Sequence, residues 1–179
     1  MSRIYIFIFL LFIKSFYLKS QENSNWLLNS ELSYIEYEAK HPLHAWTGLN
    51  KKIKGILVKD QNDTRIAVSA NISDFDTGNS NRDSNSLRVL NAFDYPQVRF
   101  YSDRIVIDEE KISFEGEIDF HGVQIEKSVD ADFKIEKNKI EINGSFSIVI
   151  TDFDIKLPSL MLVKMDDVAK INFKLIFQN

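Results

Sequence analysis

Three histidines and a knot of charges around two arginines are the residues in this chain whose types could do chemistry. His41 and His44 stand together in His41-Pro42-Leu43-His44-Ala45-Trp46-Thr47-Gly48, and His121 follows far downstream. Neighbouring imidazoles can begin a metal site, but zinc needs three or four ligands. The other reading is a corner between strands with a ring nitrogen bonded to backbone, and no metal is expected. Asp74, Asp76 and Asp83 lie near Arg82 and Arg88. They read as an internal ion pair at a strand-to-helix crossover. The alternative is contact with a ligand head group, because guanidinium binds anionic oxygens well. No serine sits in a nucleophile elbow, and no glycine-rich phosphate loop is present. Most acids fall on the wet faces of strands. The expectation is a protein that is not an enzyme, with no catalytic residue and no cofactor.

The elements that would position these groups are strands. From Ile112 to Ile135 apolar and polar residues alternate, and the pattern returns from Ile140 to Ile150 and from Ala169 to Phe177. A period of two means extended strands with one dry and one wet face. They are consecutive and joined by short polar turns, so the sheet is antiparallel. Earlier strands are read in Leu32 to Lys40, Ile53 to Val58 and Arg65 to Ile72, with Gln61-Asn62-Asp63 as a turn. Asp76 to Asn81 is turn chemistry; Asp83 or Ser84 caps a short helix carrying Leu87, Val89, Leu90 and Phe93, which stops before Tyr95-Pro96. Val98 and Phe100 open another strand, with Ile105 and Ile107 continuing it or lying past a bulge. About eight strands and one helix make an all-β, up-and-down, lipocalin-like barrel, with a sandwich as the second architecture.

At 179 residues one domain is expected. Residues 1–20 stand apart: Arg3, an apolar run from Ile4 to Ile13 and then Lys14 read as a secretory signal peptide. The run falls short of the roughly 20 apolar residues a membrane span needs. Residues 21–179 form the mature domain. Removing the leader leaves 19 basic against 26 acidic residues, near −7, which argues against nucleic acid. No stable membrane insertion is expected after cleavage, and homodimer formation is left open. Absence of cysteine excludes disulfides and thiolate metal sites.

Several segments together resemble the YceI-like family. They are Lys40 to Gly48; Phe75 to Asp83, running on to Phe93, Tyr95-Pro96 and Val98-Arg99-Phe100; Gly116 to Val123 with its His-Gly-Val turn; and Thr151 to Ile155 with Pro158-Ser159-Leu160 and Asp166-Asp167. Their order and spacing across residues 30–177 carry the match. Gln124 departs from the threonine common after His-Gly-Val, and Val89-Leu90-Asn91 replaces a more polar pattern. The resemblance implies an exported bacterial barrel, periplasmic or extracellular, around an elongated apolar pocket for an isoprenoid or fatty-acyl lipid.

On that reading Phe114, Ile118, Phe120, Phe133, Phe146, Phe153 and Phe173 line the pocket. Arg82, Arg88, His41 and His44 are the head-group candidates. Pro158 to Met165 reads as a lid over the mouth or as a plug closing the core. The rival readings are a barrel packed solid with Phe, of which the chain has fourteen, ten of them after the leader, and a lipid-modifying enzyme. Gly116 and Gly144 separate pocket from plug: a void over them favours a ligand, and large side chains over them favour packing.

Overall fold

A computed structural model describes residues 24–60, 63–160 and 162–179. The leader, the Gln61-Asn62 part of one turn and Met161 lie outside the described residues. The strands are β1 (Ser24–Leu28), β2 (Tyr34–His41), β3 (His44–Asn50), β4 (Lys54–Lys59), β5 (Thr64–Asn71), β6 (Gln97–Asp108), β7 (Lys111–Phe120), β8 (Val123–Glu136), β9 (Lys139–Val149), β10 (Ser159–Leu160), β11 (Val163–Lys164) and β12 (Val168–Gln178). One helix, α1 (Ser80–Val89), joins β5 to β6.

Eight strands close a ring in the order β1-β4-β5-β6-β7-β8-β9-β12 and back to β1, all pairs antiparallel. The barrel expected from strand counting is present. The free edge of β12 is divided between two partners. Lys170 to Lys174 pair with β2, and Phe177 and Gln178 pair with Leu28 and Leu27 of β1. Between them Ile176 N–H donates to the buried Ser33 Oγ at 2.9 Å, and Asn29 N–H donates to the Ile176 carbonyl at 2.8 Å. Both backbone groups of Ile176 are thus satisfied at the handover, as burial demands. β2 turns into β3, and Leu49 exchanges two backbone bonds with Asp76 ahead of α1.

The alternation predicts its own burial. Along β7, Ile112, Phe114, Gly116 and Ile118 are buried while Ser113, Glu115 and Glu117 are exposed. β7 passes to β8 through His121 and Gly122, with φ of 53° and 80°. Positive φ at both central residues is the type I′ hairpin, whose twist suits the strands it joins. β6 shifts register between Tyr101 and Arg104, the bulge that separates Phe100 from Ile105.

The helix starts earlier than its expected cap. Asn79, not Asp83 or Ser84, is the N-cap, and its side chain accepts from Asn81 and Arg82 N–H. The run taken for a turn is the cap and first turn, because Asn and Ser serve both purposes. Phe93 belongs to the turn after α1 and is 95% exposed, not part of an inward helix face.

On the outer face Glu141 gathers three partners: Lys139 at 3.2 Å, Lys174 at 3.1 Å and Asn143 at 3.1 Å. The Asn143 hydrogen bond and then those from Lys174 and Lys139 hold its carboxyl down at about 2. A carboxylate depressed in the fold stabilises above its unfolded value and loses that stabilisation as pH falls toward the folded one. Both lysines are a third exposed, so solvent reduces the effect to about 1 kcal/mol. Glu141→Gln is expected to lower stability by that amount at pH 7 and to match the parent near pH 2. Urea unfolding at the two pH values checks it.

Candidate functional site

The inward stripe does not fill the barrel evenly. At the end where β1 meets β12, Ile53, Leu57, Ile112, Ile140, Ile142 and Phe177 are at most 2% exposed and pack with Trp26 and Phe133. None of these eight lines the cavity at the other end. At the other end, under α1, lies a cavity of about 590 Å³. Ile118, Phe120, Phe146, Ile148, Ala169, Ile171 and Phe173 are among its walls. Leu87, Val89 and Leu90 come from the helix and the turn after it. A layer of Ile66, Phe114, Val129 and Leu175 touches both the cavity and the packed core. It is the floor.

Polar groups gather at the helix end. Tyr37, His44, Trp46, Arg82, Asp83 and Ser86 border the cavity there. Arg82 lies over the Trp46 ring at 5.3 Å, a cation–π contact. Burial pushes the Tyr37 phenol up from its ordinary value, against opposing hydrogen bonds with Trp46 and Ser86. Asp83 Oδ1 accepts from Thr77 Oγ1 at 2.6 Å and from Thr77 N–H at 3.2 Å, which ties the strand-to-helix crossover.

The expected ion pair at this crossover does not form. Asp74 pairs with Lys52 at 3.3 Å, Arg88 turns to Asn85, and no carboxylate lies within 4 Å of Arg82 among the described residues. The chain puts one amide, Asn85, and one tryptophan, Trp46, where acids were expected to answer the arginines.

Of the pocket residues anticipated from sequence, Phe114, Ile118, Phe120, Phe146 and Phe173 border the cavity. Phe133 and Phe153 do not. Phe133 is buried in the packed end, and Phe153 sits behind Phe120 with ring centroids 5.4 Å apart. Of the head-group candidates, His44 and Arg82 border the cavity. Arg88 is exposed on the outer side of α1. His41 is 4% exposed; its Nε2 contacts the Val163 carbonyl at 3.0 Å, and its Nδ1 accepts from Leu43 N–H at 3.3 Å. Those partners fix the proton on Nε2 and make His41 a corner pin. His121 is likewise used by backbone, with Nδ1 3.0 Å from the Phe153 carbonyl, and it packs on Tyr95 at 4.7 Å. No group of three His, Asp or Glu comes together for a metal among the described residues.

The segment expected as lid or plug is the β10–β11 hairpin. Its ends, Pro158 and Met165, border the cavity. Leu162 near its tip does not, and is 100% exposed at φ 69°. The His41 contact and the bond from Asp166 N–H to the Lys40 carbonyl pin the hairpin beside the mouth.

The glycine criterion gives a divided result. A Cβ on Gly116 would fall 2.6 Å from the Phe100 ring, and one on Gly144 would fall 2.6 Å from the Phe173 ring. Large side chains cover both glycines, the outcome assigned to packing. Yet Phe100 and Phe173 also border the cavity. Lacking a Cβ, the two glycines let these rings approach the wall closely beside the open space.

A closed antiparallel barrel with an apolar cavity at one end and polar groups at its mouth defines a calyx. The sequence matches the YceI-like domain over residues 26–177, and the chain belongs to that family. Among solved structures it is similar to BcnA of Burkholderia cenocepacia at 17% identity, covering 83% of this chain and 98% of that one with a TM-score of 0.72. It is similar to a polyisoprenoid binding domain from Saccharophagus degradans at 12% identity, covering 86% and 97% with a TM-score of 0.73. It is similar to a YceI protein of Campylobacter jejuni at 20% identity, covering 74% and 84% with a TM-score of 0.63. No curated protein matches.

Proposed function

We propose that the protein is an exported binding protein that holds one long-chain apolar lipid, isoprenoid or fatty-acyl, in a carrier or storage role. The observation that carries this reading is the apolar cavity of about 590 Å³ with its polar groups confined to one end. Each buried methylene contributes about 0.8 kcal/mol, so a chain of this kind binds tightly without a charged partner. The fold shared with the Saccharophagus degradans polyisoprenoid binding domain supports the ligand class. The apolar run behind Arg3 supports export, and no helix among the described residues is long and apolar enough to cross a membrane. That Arg82 and His44 border the cavity supports them as the groups that meet a head group. An enzyme reading has less support, since only His44 of the three histidines borders the cavity.

The packed barrel keeps one observation in its favour: the terminal half of the interior is solid. Organic extraction and mass spectrometry of protein purified from a bacterial host separate the readings. One apolar molecule per chain is expected. Protein that emerges empty and also ignores added prenyl and acyl ligands would return the molecule to a purely structural role.

A further inference from the structure

The turns at the cavity end of the barrel carry apolar side chains into solvent. Leu162 and Phe93, at 100% and 95% exposure, are the two most exposed large apolar side chains among the described residues. Leu162 lies between β10 and β11, and Phe93 in the turn between α1 and β6. Leu43, in the β2–β3 turn, is 65% exposed. Val149 at the end of β9 pairs with Val168 at the start of β12, and both are exposed. Each of these segments also walls the cavity, through Leu90, His44, Ile148, Ala169, and Pro158 and Met165 at the base of the hairpin. Contacts link the turns to one another. Tyr95 packs on His121, His121 reaches the Phe153 carbonyl, and the Val163 carbonyl meets His41.

Leu162 is doubly unfavourable in a turn that faces water. Its φ of 69° lies in the left-handed region, which suits Gly or Asn and is a rarity for a bulky residue. A tight hairpin turn ordinarily takes Asn-Gly. Its side chain meanwhile buries nothing against the barrel. Neither the turn nor the core accounts for a leucine here, and an apolar phase outside the molecule does. The charges around the tips nearly balance: Lys40, Lys156 and Lys164 stand against Asp94, Asp152, Asp154 and Asp166, all exposed. Such a surface has no pull toward anionic head groups and suits zwitterionic ones. Single side chains on separate turns fit a fluid interface, which closes around each of them; a rigid partner would need a matching socket for every tip.

We propose, on the lipid-binding reading above, that the cavity end docks reversibly on a zwitterionic lipid surface, with Leu162 and Phe93 entering the interface. The ligand then passes between bilayer and cavity without crossing bulk water. Docking of this kind is peripheral and needs no spanning element.

The test is flotation of the mature protein with phosphatidylcholine vesicles at low and high salt. The parent is expected to float with the vesicles at both, because apolar tips and not charges hold it there. Leu162→Asn keeps a residue that tolerates the left-handed turn, and Phe93→Ser changes an exposed one. Each is expected to lower vesicle partition about tenfold, with melting and the binding of a fluorescent fatty-acid probe as in the parent. Val106→Thr removes an apolar side chain 67% exposed near the packed end of β6 and is expected to change nothing. Transfer of the probe from protein to vesicles supplies a second reading. Its rate is expected to rise with vesicle concentration in the parent, as transfer by collision does, and to flatten in Leu162→Asn. If both tip variants melt early, the transfer rate of the parent decides. A parent that binds the probe but stays off vesicles, or transfers at a rate independent of their concentration, overturns the docking and leaves the lipid-binding reading intact. Equal vesicle binding by the parent and both tip variants overturns it too. So does a parent dimer that either tip variant converts to monomer, since the tips are then a contact between two copies. Protein that ignores the probe overturns the lipid-binding reading, and the passage of ligand with it.

Discussion

Ala169→Phe is expected to weaken ligand binding at least a hundredfold while leaving the barrel as stable as before, or more so. Ala169 is 6% exposed, lies on β12 facing inward, and borders the cavity. Ala39 of β2 is a small neighbour that also borders it. A phenyl ring placed there occupies the room of about six ligand carbons, each contributing about 0.8 kcal/mol when buried. That sum, about 4.8 kcal/mol, exceeds the roughly 2.8 kcal/mol that a hundredfold change requires. The ring enters space that is already open, so little in the wall has to move. Filling such a void commonly adds about 0.5–2 kcal/mol of stability. Probe displacement reads the first effect and thermal melting the second. A variant that binds as the parent does would show that the ligand site lies elsewhere.

Phe177→Ala is expected to do the reverse. Phe177 is 0% exposed, belongs to the packed end and does not border the cavity. Its truncation removes transfer free energy and leaves a hole in a tightly packed layer, at about 3–5 kcal/mol. That is a large share of the roughly 5–15 kcal/mol that stabilises a typical domain. The melting temperature should fall by roughly 10 °C. Affinity for a chain of ordinary length should change little while the protein remains folded, because the floor between the cavity and Phe177 is intact. Read together, the two substitutions assign stability to one half of the barrel and binding to the other. Melting and displacement measured on both proteins check the division.

That division was invisible in the sequence, although most of the sheet was plain. β7, β8, β9 and β12 are long and alternate with few breaks, such as Lys127 and Ile176, so their faces could be assigned residue by residue. β1 was missed because Ser24 to Leu28 is five residues with no alternation. β3 was taken for a corner, since His44 to Asn50 mixes exposed and buried positions. The β10–β11 hairpin has strands of two residues, too short for any period. The site was half legible. Alternation says that Phe114 and Phe133 both face inward, but not how deep each lies. Depth comes from register, from which residue of β8 meets which of β7, and chain pattern alone does not supply that. Phe133 was therefore placed in the pocket when it is part of the packed end. Tyr37 shares the inward face with Ile35 and Ala39, but its place at the mouth depends on α1, whose start was read too late. Trp46 lay inside the misread corner. The arginines were assigned acidic partners because acids are close in sequence; in space Thr77 and Lys52 claim two of those acids.

The handover on the edge of β12 bears on the order in which the molecule can form. The ring is completed by Leu27 and Leu28 meeting Gln178 and Phe177, close to the two limits of the described chain. The hairpins from β4 to β9 pair between neighbours and can assemble early, as local contacts do. The seam cannot. It waits for the last strand, and loop closure over so long a span makes it slow. Until Phe177 arrives the dry face has no opposite wall, and an isolated β1 has only β4 to hold it. A nascent chain lacking its final dozen residues is thus an open sheet with two hydrophobic edges, the species most prone to pair with a second copy of itself.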